Sequence, residues 1–116
     1  MASITLYGIP NCDTVKKARK HLDAAGKDYT FHDFKKEGAD TDLVRGWVQA
    51  VGWERVLNRS GTTFRKLEPE QKEGLDAEKA IRLMVANPSC IKRPVVDHPG
   101  GLLVGFDPAE WDAKLA

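Results

Sequence analysis

The sequence predicts an α/β fold: a four-stranded mixed sheet flanked by helices, in the order β-α-β, helical insertion, β-β-α. Three observations lead there. Ser3 to Tyr7 and Tyr29 to Phe34 are short runs of apolar, β-branched and aromatic residues, and the segment between them carries apolar residues one helical turn apart. A strand, a helix and a strand within about 30 residues form a βαβ unit, whose strands run parallel with a right-handed crossover. Later, Arg93-Pro94-Val95-Val96-Asp97 and Leu102-Leu103-Val104-Gly105 flank Gly100-Gly101, which reads as an antiparallel hairpin with Gly-Gly at its turn.

Each element has its own local signal. After the first strand, Val15, Ala18, Leu22 and Ala25 draw one apolar stripe along a helix from Asp13, and Gly26 stops it. Asp40-Thr41-Asp42 can cap a helix whose buried face is Leu43, Val44, Trp47, Val48 and Val51, ended by Gly52. Val56-Leu57 reads as a short apolar piece leading to the loop Asn58-Arg59-Ser60-Gly61, and Pro69 opens a helical turn closed near Gly74. Asp76 starts a helix carrying Ala80, Ile81, Leu83 and Met84, ending before Asn87-Pro88. Finally Asp107-Pro108-Ala109-Glu110 places an N-cap acid, a proline at the first helical position and a glutamate at the third, opening a helix that buries Trp111 and Leu115. The expected organisation is one domain over 1–116, with 1–35 and 87–116 as the sheet core and 36–86 as a helical insertion.

The length of 116 residues is enough to bury a core without disulfides or metal. Eighteen basic and seventeen acidic residues give a net charge of +1, which supplies no bulk attraction to nucleic acid or anionic lipid. Any anion binding is therefore local. No apolar run approaches the ~20 residues of a membrane span, and the N-terminus lacks a basic region followed by a cleavage site, so the expected location is the cytoplasm. Two cysteines are too few for a secreted disulfide framework, and with His21, His32 and His98 they form no metal-ligand spacing. A monomer without bound cofactor is the expectation.

The chemistry is expected at Tyr7-Gly8-Ile9-Pro10-Asn11-Cys12-Asp13-Thr14, where an apolar run breaks and delivers a cysteine to a helix start. Such a start carries unpaired backbone N–H groups and the positive end of the helix dipole. Both favour the thiolate, the form of cysteine that attacks electrophiles. Cys12 is thus read as a nucleophile. The competing reading, a buried structural cysteine, is opposed by its turn and cap neighbours Pro10, Asn11, Asp13 and Thr14.

Three stretches carry a resemblance to a known family: Tyr7-Gly8-Ile9-Pro10-Asn11-Cys12-Asp13-Thr14-Val15-Lys16-Lys17-Ala18, Asn58-Arg59-Ser60-Gly61, and Pro88-Ser89-Cys90-Ile91-Lys92-Arg93-Pro94-Val95-Val96. The chain resembles the arsenate reductase family of the ArsC/Spx type, within it the YffB-like branch of glutathione-dependent thiol reductases, and the resemblance spans nearly its whole length. It implies a thioredoxin-like fold, Cys12 as nucleophile, Arg59 and Arg93 as anion-binding arginines, and Pro94 as a cis-proline beside the reactive cysteine. A guanidinium, always charged and forked, suits a carboxylate or an oxyanion. Lys16, one helical turn beyond Cys12, and Asn11, in the loop before it, complete the candidate substrate-binding set. Lys17 and Lys20 read as a solvated helix face.

Two departures from the arsenate reductase pattern steer the substrate expectation. Cys12-Asp13-Thr14-Val15-Lys16 stands where those enzymes show Cys-Gly-Thr-Ser-Arg, and Val104-Gly105-Phe106 stands where their third arginine would lie. A lost guanidinium and an added carboxylate weaken a tetrahedral oxyanion site. The leading expectation is a glutathione-dependent monothiol oxidoreductase with glutathione as co-substrate and a glutaredoxin as a candidate partner. An Spx-like adaptor that binds RNA polymerase, and a true arsenate reductase, are the alternatives. Cys90 has two readings, a packing residue or a thiol that resolves a mixed disulfide on Cys12. Cys12-x-x-Val15 lacks the second cysteine of a dithiol switch, so a cycle on Cys12 alone needs an external thiol.

Overall fold

A computed structural model describes residues 4–115 of the chain, so Ser3, expected in the first strand, lies outside the described residues. The contacts gather into two compact units, one comprising the chain up to Glu37 together with the part from Arg93 on, the other Gly38–Lys92.

The first unit is built on a four-stranded sheet: β1 (Thr5–Gly8), β2 (Thr30–Asp33), β3 (Val95–His98) and β4 (Gly101–Val104), in spatial order β2-β1-β3-β4. β1 runs parallel to β2 and antiparallel to β3, and β3 antiparallel to β4, so the sheet is mixed as the sequence predicts. Helix α1 (Asp13–Ala24) buries Val15, Ala18 and Leu22. Its C-terminus closes with Gly26 N–H on Asp23 O (3.1 Å) and Lys27 N–H on Leu22 O (3.0 Å), and Gly26 has φ +70°. That paired closure needs the left-handed region, which glycine enters without penalty. Together with Leu6, Val96, Leu103 and Trp111 the α1 stripe forms one buried cluster, with Leu115 packed partly buried against it.

Local chemistry moves several boundaries. Ala25 is exposed, because it is the C-cap where the chain already turns away. Phe34 is not strand; it opens the short helix α2 (Phe34–Glu37), because the Asp33 carboxylate accepts from Lys35 N–H (2.8 Å) and Asp33 N–H donates to Glu37 (3.1 Å). β3 begins at Val95 rather than Arg93, since Pro94 has no N–H to place in a ladder. His98 pairs with Gly101, which makes Pro99-Gly100 the two-residue turn instead of Gly100-Gly101. Helix α8 (Pro108–Lys114) is capped by the Asp107 carboxylate, which accepts from Ala109 N–H (3.1 Å).

The second unit holds helices α3 (Thr41–Val51), α4 (Trp53–Val56), α5 (Thr62–Arg65), α6 (Pro69–Lys72) and α7 (Ala77–Ala86), then a 3-10 turn, Pro88–Cys90. α3 and α7 follow the predicted periodicity and caps, with Asp40 accepting from Asp42 and Leu43 N–H and Asp76 from Lys79 N–H. α4 and α5 were not expected. Each is a single four-residue turn, too short for periodicity to mark.

Candidate active site

The loop bearing Cys12 starts where β1 meets α1 at closest approach. A Cβ added at Gly8 would stand 2.7 Å from Val15 Cγ2, so glycine lets the helix return tightly onto the strand end. Cys12 N–H donates to Ile9 O (3.2 Å), closing a turn over Pro10 and Asn11. Cys12 then takes the N-cap of α1 in extended conformation (φ −88°, ψ 125°), and its carbonyl accepts from Lys16 N–H (2.9 Å). Its side chain makes no capping bond. The first-turn N–H groups of α1 lack an intrahelical partner, as at any helix start. Cys12 is a free cysteine of intermediate exposure, its inner side packed against the core cluster. Asn11 and Lys16 are exposed on either side of it in sequence.

Arg93 and Pro94 come to the same sheet end from another strand. The Arg93–Pro94 bond is cis, Pro94 is fully buried, and its carbonyl accepts from Gly105 N–H (2.8 Å). Tyr7 lies opposite Val95 at the end of the β1–β3 ladder, so Arg93-Pro94 enters β3 at the end of the sheet where β1 leads into the Cys12 loop. Arg93 is half-buried. Asn11, Cys12, Lys16, Arg93 and Pro94 thus all belong to the first unit, with the Cys12 loop and Pro94 at the same end of its sheet.

Arg59 and Cys90 belong to the second unit. Arg59 rides a turn fixed on both sides: Asn58 N–H donates to Cys90 O (2.7 Å), Leu57 bridges Ile91, and Ser60 N–H donates to Asn58 Oδ1 (3.1 Å). The Arg59 guanidinium lies over the Trp53 ring, 5.5 Å from its centroid, a cation–π contact. Cys90 is 1% exposed.

Sequence reasoning missed two neighbours of these residues. Trp53, one turn of helix before the predicted loop, carried no signal because periodicity did not reach α4. Tyr7 heads the Cys12 stretch without a role of its own in the sequence reading, yet its phenol is held above the ordinary tyrosine range, first by burial and then by the Asp97 carboxylate, with the Thr5 hydroxyl opposing both. Its ring packs on His32 (4.9 Å) and Phe34 (6.2 Å). In the Val104-Gly105-Phe106 stretch, Phe106 packs edge-on against Trp111 at 4.9 Å and lies partly buried against the core cluster. Among the described residues no group of three His, Cys, Asp or Glu side chains is placed to hold a metal ion.

A mixed β2-β1-β3-β4 sheet with a cysteine at its first βα junction and a cis-proline opposite is a thioredoxin-like fold. The ArsC family profile matches residues 7–114, and the chain belongs to that family. It is 54% identical to the solved YFFB protein, covering 97% of this chain and 99% of that one, with a TM-score of 0.95. An arsenate reductase (ArsC) related protein from Brucella melitensis is 51% identical over 99% of this chain and 95% of that one, with a TM-score of 0.76. An uncharacterized protein of Haemophilus influenzae shares 38% identity over 97% of this chain and 99% of its own. No helix among the described residues is long and apolar enough to cross a membrane.

Proposed function

We propose that this protein is a glutathione-dependent monothiol oxidoreductase of the cytoplasm. The observation that supports this best is the placement of Cys12: half-exposed, unbonded through its side chain, and at the first-turn N–H groups of α1. The Cys12 thiolate attacks the glutathione sulfur of a mixed disulfide, forming Cys12–S–S–glutathione as the original S–S bond breaks and the substrate thiolate leaves. A second glutathione thiolate attacks that sulfur, releasing glutathione disulfide and restoring Cys12. The net change is an exchange in which one free glutathione thiol is oxidised into glutathione disulfide as the substrate thiol is released, so the cycle balances on thiols and disulfides alone. Arg93 holds a carboxylate of glutathione, Asn11, Lys16 and Pro94 line the approach to the thiol, and Arg59, in the second unit, serves as an anion-binding arginine. A glutaredoxin can replace the second glutathione.

The test is reduction of a glutathionylated peptide by wild type, Cys12→Ser and Cys90→Ser. Cys12→Ser is expected to lower the rate by about two orders of magnitude or more, because the nucleophile itself is removed. Cys90→Ser retains the rate, since a 1% exposed thiol serves packing. Activity surviving in Cys12→Ser would sink the mechanism. Recovery of RNA polymerase by wild type and Cys12→Ser alike, without thiol turnover in either, would replace it with an adaptor role.

A further inference from the structure

Trp53 makes no part of the thiol chemistry, yet it stands directly beneath the exposed arginine of the second unit. We infer that Trp53 is a positioning residue, whose indole holds the Arg59 guanidinium in the orientation that receives a carboxylate of glutathione. This rests on the anion-holding role proposed above for Arg59.

The geometry carries the inference in three steps. Arg59 is exposed, and a free arginine side chain at a loop tip samples many rotamers, so ordering it on ligand binding is costly. The backbone beneath it is already ordered: Asn58 N–H is bonded to Cys90 O at 2.7 Å, Lys92 N–H to Val56 O at 2.8 Å, and Ser60 N–H to Asn58 Oδ1 at 3.1 Å. At Gly61 an added Cβ would stand 3.0 Å from Asn58 Nδ2, so the turn is tight on its far side as well. What remains to be fixed is the side chain, and the indole fixes it. Trp53 heads α4, six positions before Arg59, and α4 brings its ring to 5.5 Å from the guanidinium carbon. The donors of a guanidinium lie in its plane, so a ring engaging the cation from one side leaves in-plane N–H groups for a carboxylate. A lysine at position 59 would keep the charge and lose that fork.

The inference is tested on the full chain with S-methylglutathione, which carries the carboxylates of glutathione and cannot form a disulfide. Its dissociation constant is measured for wild type, Trp53→Leu, Trp53→Phe, Arg59→Ala and the Trp53→Leu/Arg59→Ala pair, and the ring-current displacement of the Arg59 Hδ resonances is read by NMR. Trp53→Leu is expected to weaken binding about two- to fivefold, the range of an exposed cation–π contact. It should also abolish the ring-current displacement. Trp53→Phe, which keeps an aromatic face, restores both, and Trp53→Leu adds nothing once Arg59 is alanine. Trp53→Gln supplies the same readings should Trp53→Leu fail to fold. Equal weakening by Trp53→Leu with and without Arg59 would overturn the inference, as would binding unaffected by Trp53→Leu while Arg59→Ala weakens it. Unchanged binding in Arg59→Ala would remove Arg59 itself from the glutathione site, a failure of the earlier proposal that a persisting ring-current displacement would distinguish from loss of the stack.

Discussion

The two units of this chain are held together by different means. In the first, a sheet and two helices converge on a single buried cluster of Leu6, Val15, Ala18, Leu22, Val96, Leu103 and Trp111, and the loop of Cys12 is an outgrowth of that cluster. In the second, α3 and α7 carry ordinary apolar faces, but the stretch between them is three four-residue helical turns stitched by backbone bonds to the segment around Cys90. Side-chain packing therefore fixes the candidate nucleophile, whereas the turn of Arg59 is fixed by backbone hydrogen bonds added to the buried Val56 and Leu57 just before it. A nucleophile must hold its place at the helix start whatever binds. An arginine needs only an anchored base and a face to rest on.

Truncating the centre of the first unit gives the largest expected effect. Trp111 is fully buried, donates from Nε1 to Gly105 O at 3.2 Å, and packs against Phe106. Trp111→Ala should cost about 3–5 kcal/mol, read from the urea midpoint and slope. A loss under about 1 kcal/mol would mean that this cluster is not what sustains the first unit. The next effect falls at the loop itself. Gly8→Ala forces a methyl group into Val15, an overpacking expected to cost about 1–3 kcal/mol and to lower turnover by moving the start of α1. Val15→Ala in the same chain should recover turnover. Turnover lost in Gly8→Ala and not recovered there would show that the glycine acts through the loop backbone instead.

The elements that could be read from the sequence are those whose information is local. The α1 stripe with Gly26 and the Asp40, Asp76 and Asp107 caps each declare themselves within a few residues, and the structure follows them. Phe34 misled because its aromatic character suits a strand, while the decision was made by carboxylates at Asp33 and Glu37 bonding to the backbone. α4 and α5 escaped because a four-residue turn is too short for periodicity, and the end of α4 is held by distant partners: Leu57 to Ile91 and Val56 O to Lys92 N–H. At the site, Cys12 and the Arg93-Pro94 pair were legible from their motifs. The Trp53 stack and the raised Tyr7 phenol depend on what folding brings near, and no periodicity encodes that.

The contrast between units also sets how their thiols respond. Cys12 is half-exposed and Cys90 is 1% exposed, so a small alkylating reagent should modify Cys12 at least about 100-fold faster in the native protein, with Cys90 reacting only as its surroundings open. Cys90 is thus a reporter for the second unit. Asp40→Ala removes the acceptor for two N–H groups at the start of α3, a loss of about 1 kcal/mol, which should speed Cys90 alkylation about fivefold. Alkylation of Cys90 indifferent to Asp40→Ala would mean that the segment around Cys90 opens independently of α3.

The smallest effect is confined to alkaline solution and belongs to the sheet of the first unit. Tyr7 is raised in the folded chain by burial first and by Asp97 second, so the folded state keeps the phenol proton at a pH where the unfolded chain, at the ordinary value of about 10, releases it. Above that value the unfolded state binds fewer protons than the folded one, and stability falls as pH rises. Below it both states hold the proton, so the contribution is fully present there and is lost only as pH climbs through the folded value. Lysines titrate in the same window, which is why the informative quantity is a difference: wild type should lose more stability than Tyr7→Phe between pH 9 and 11 in parallel urea titrations. Asp97→Asn should reduce that difference without removing it, because burial is the larger cause. Parallel pH curves for wild type and Tyr7→Phe would show that the phenol reaches water, and that the β1 face carrying Thr5 and Tyr7 is more open than the α1 face across the same strand.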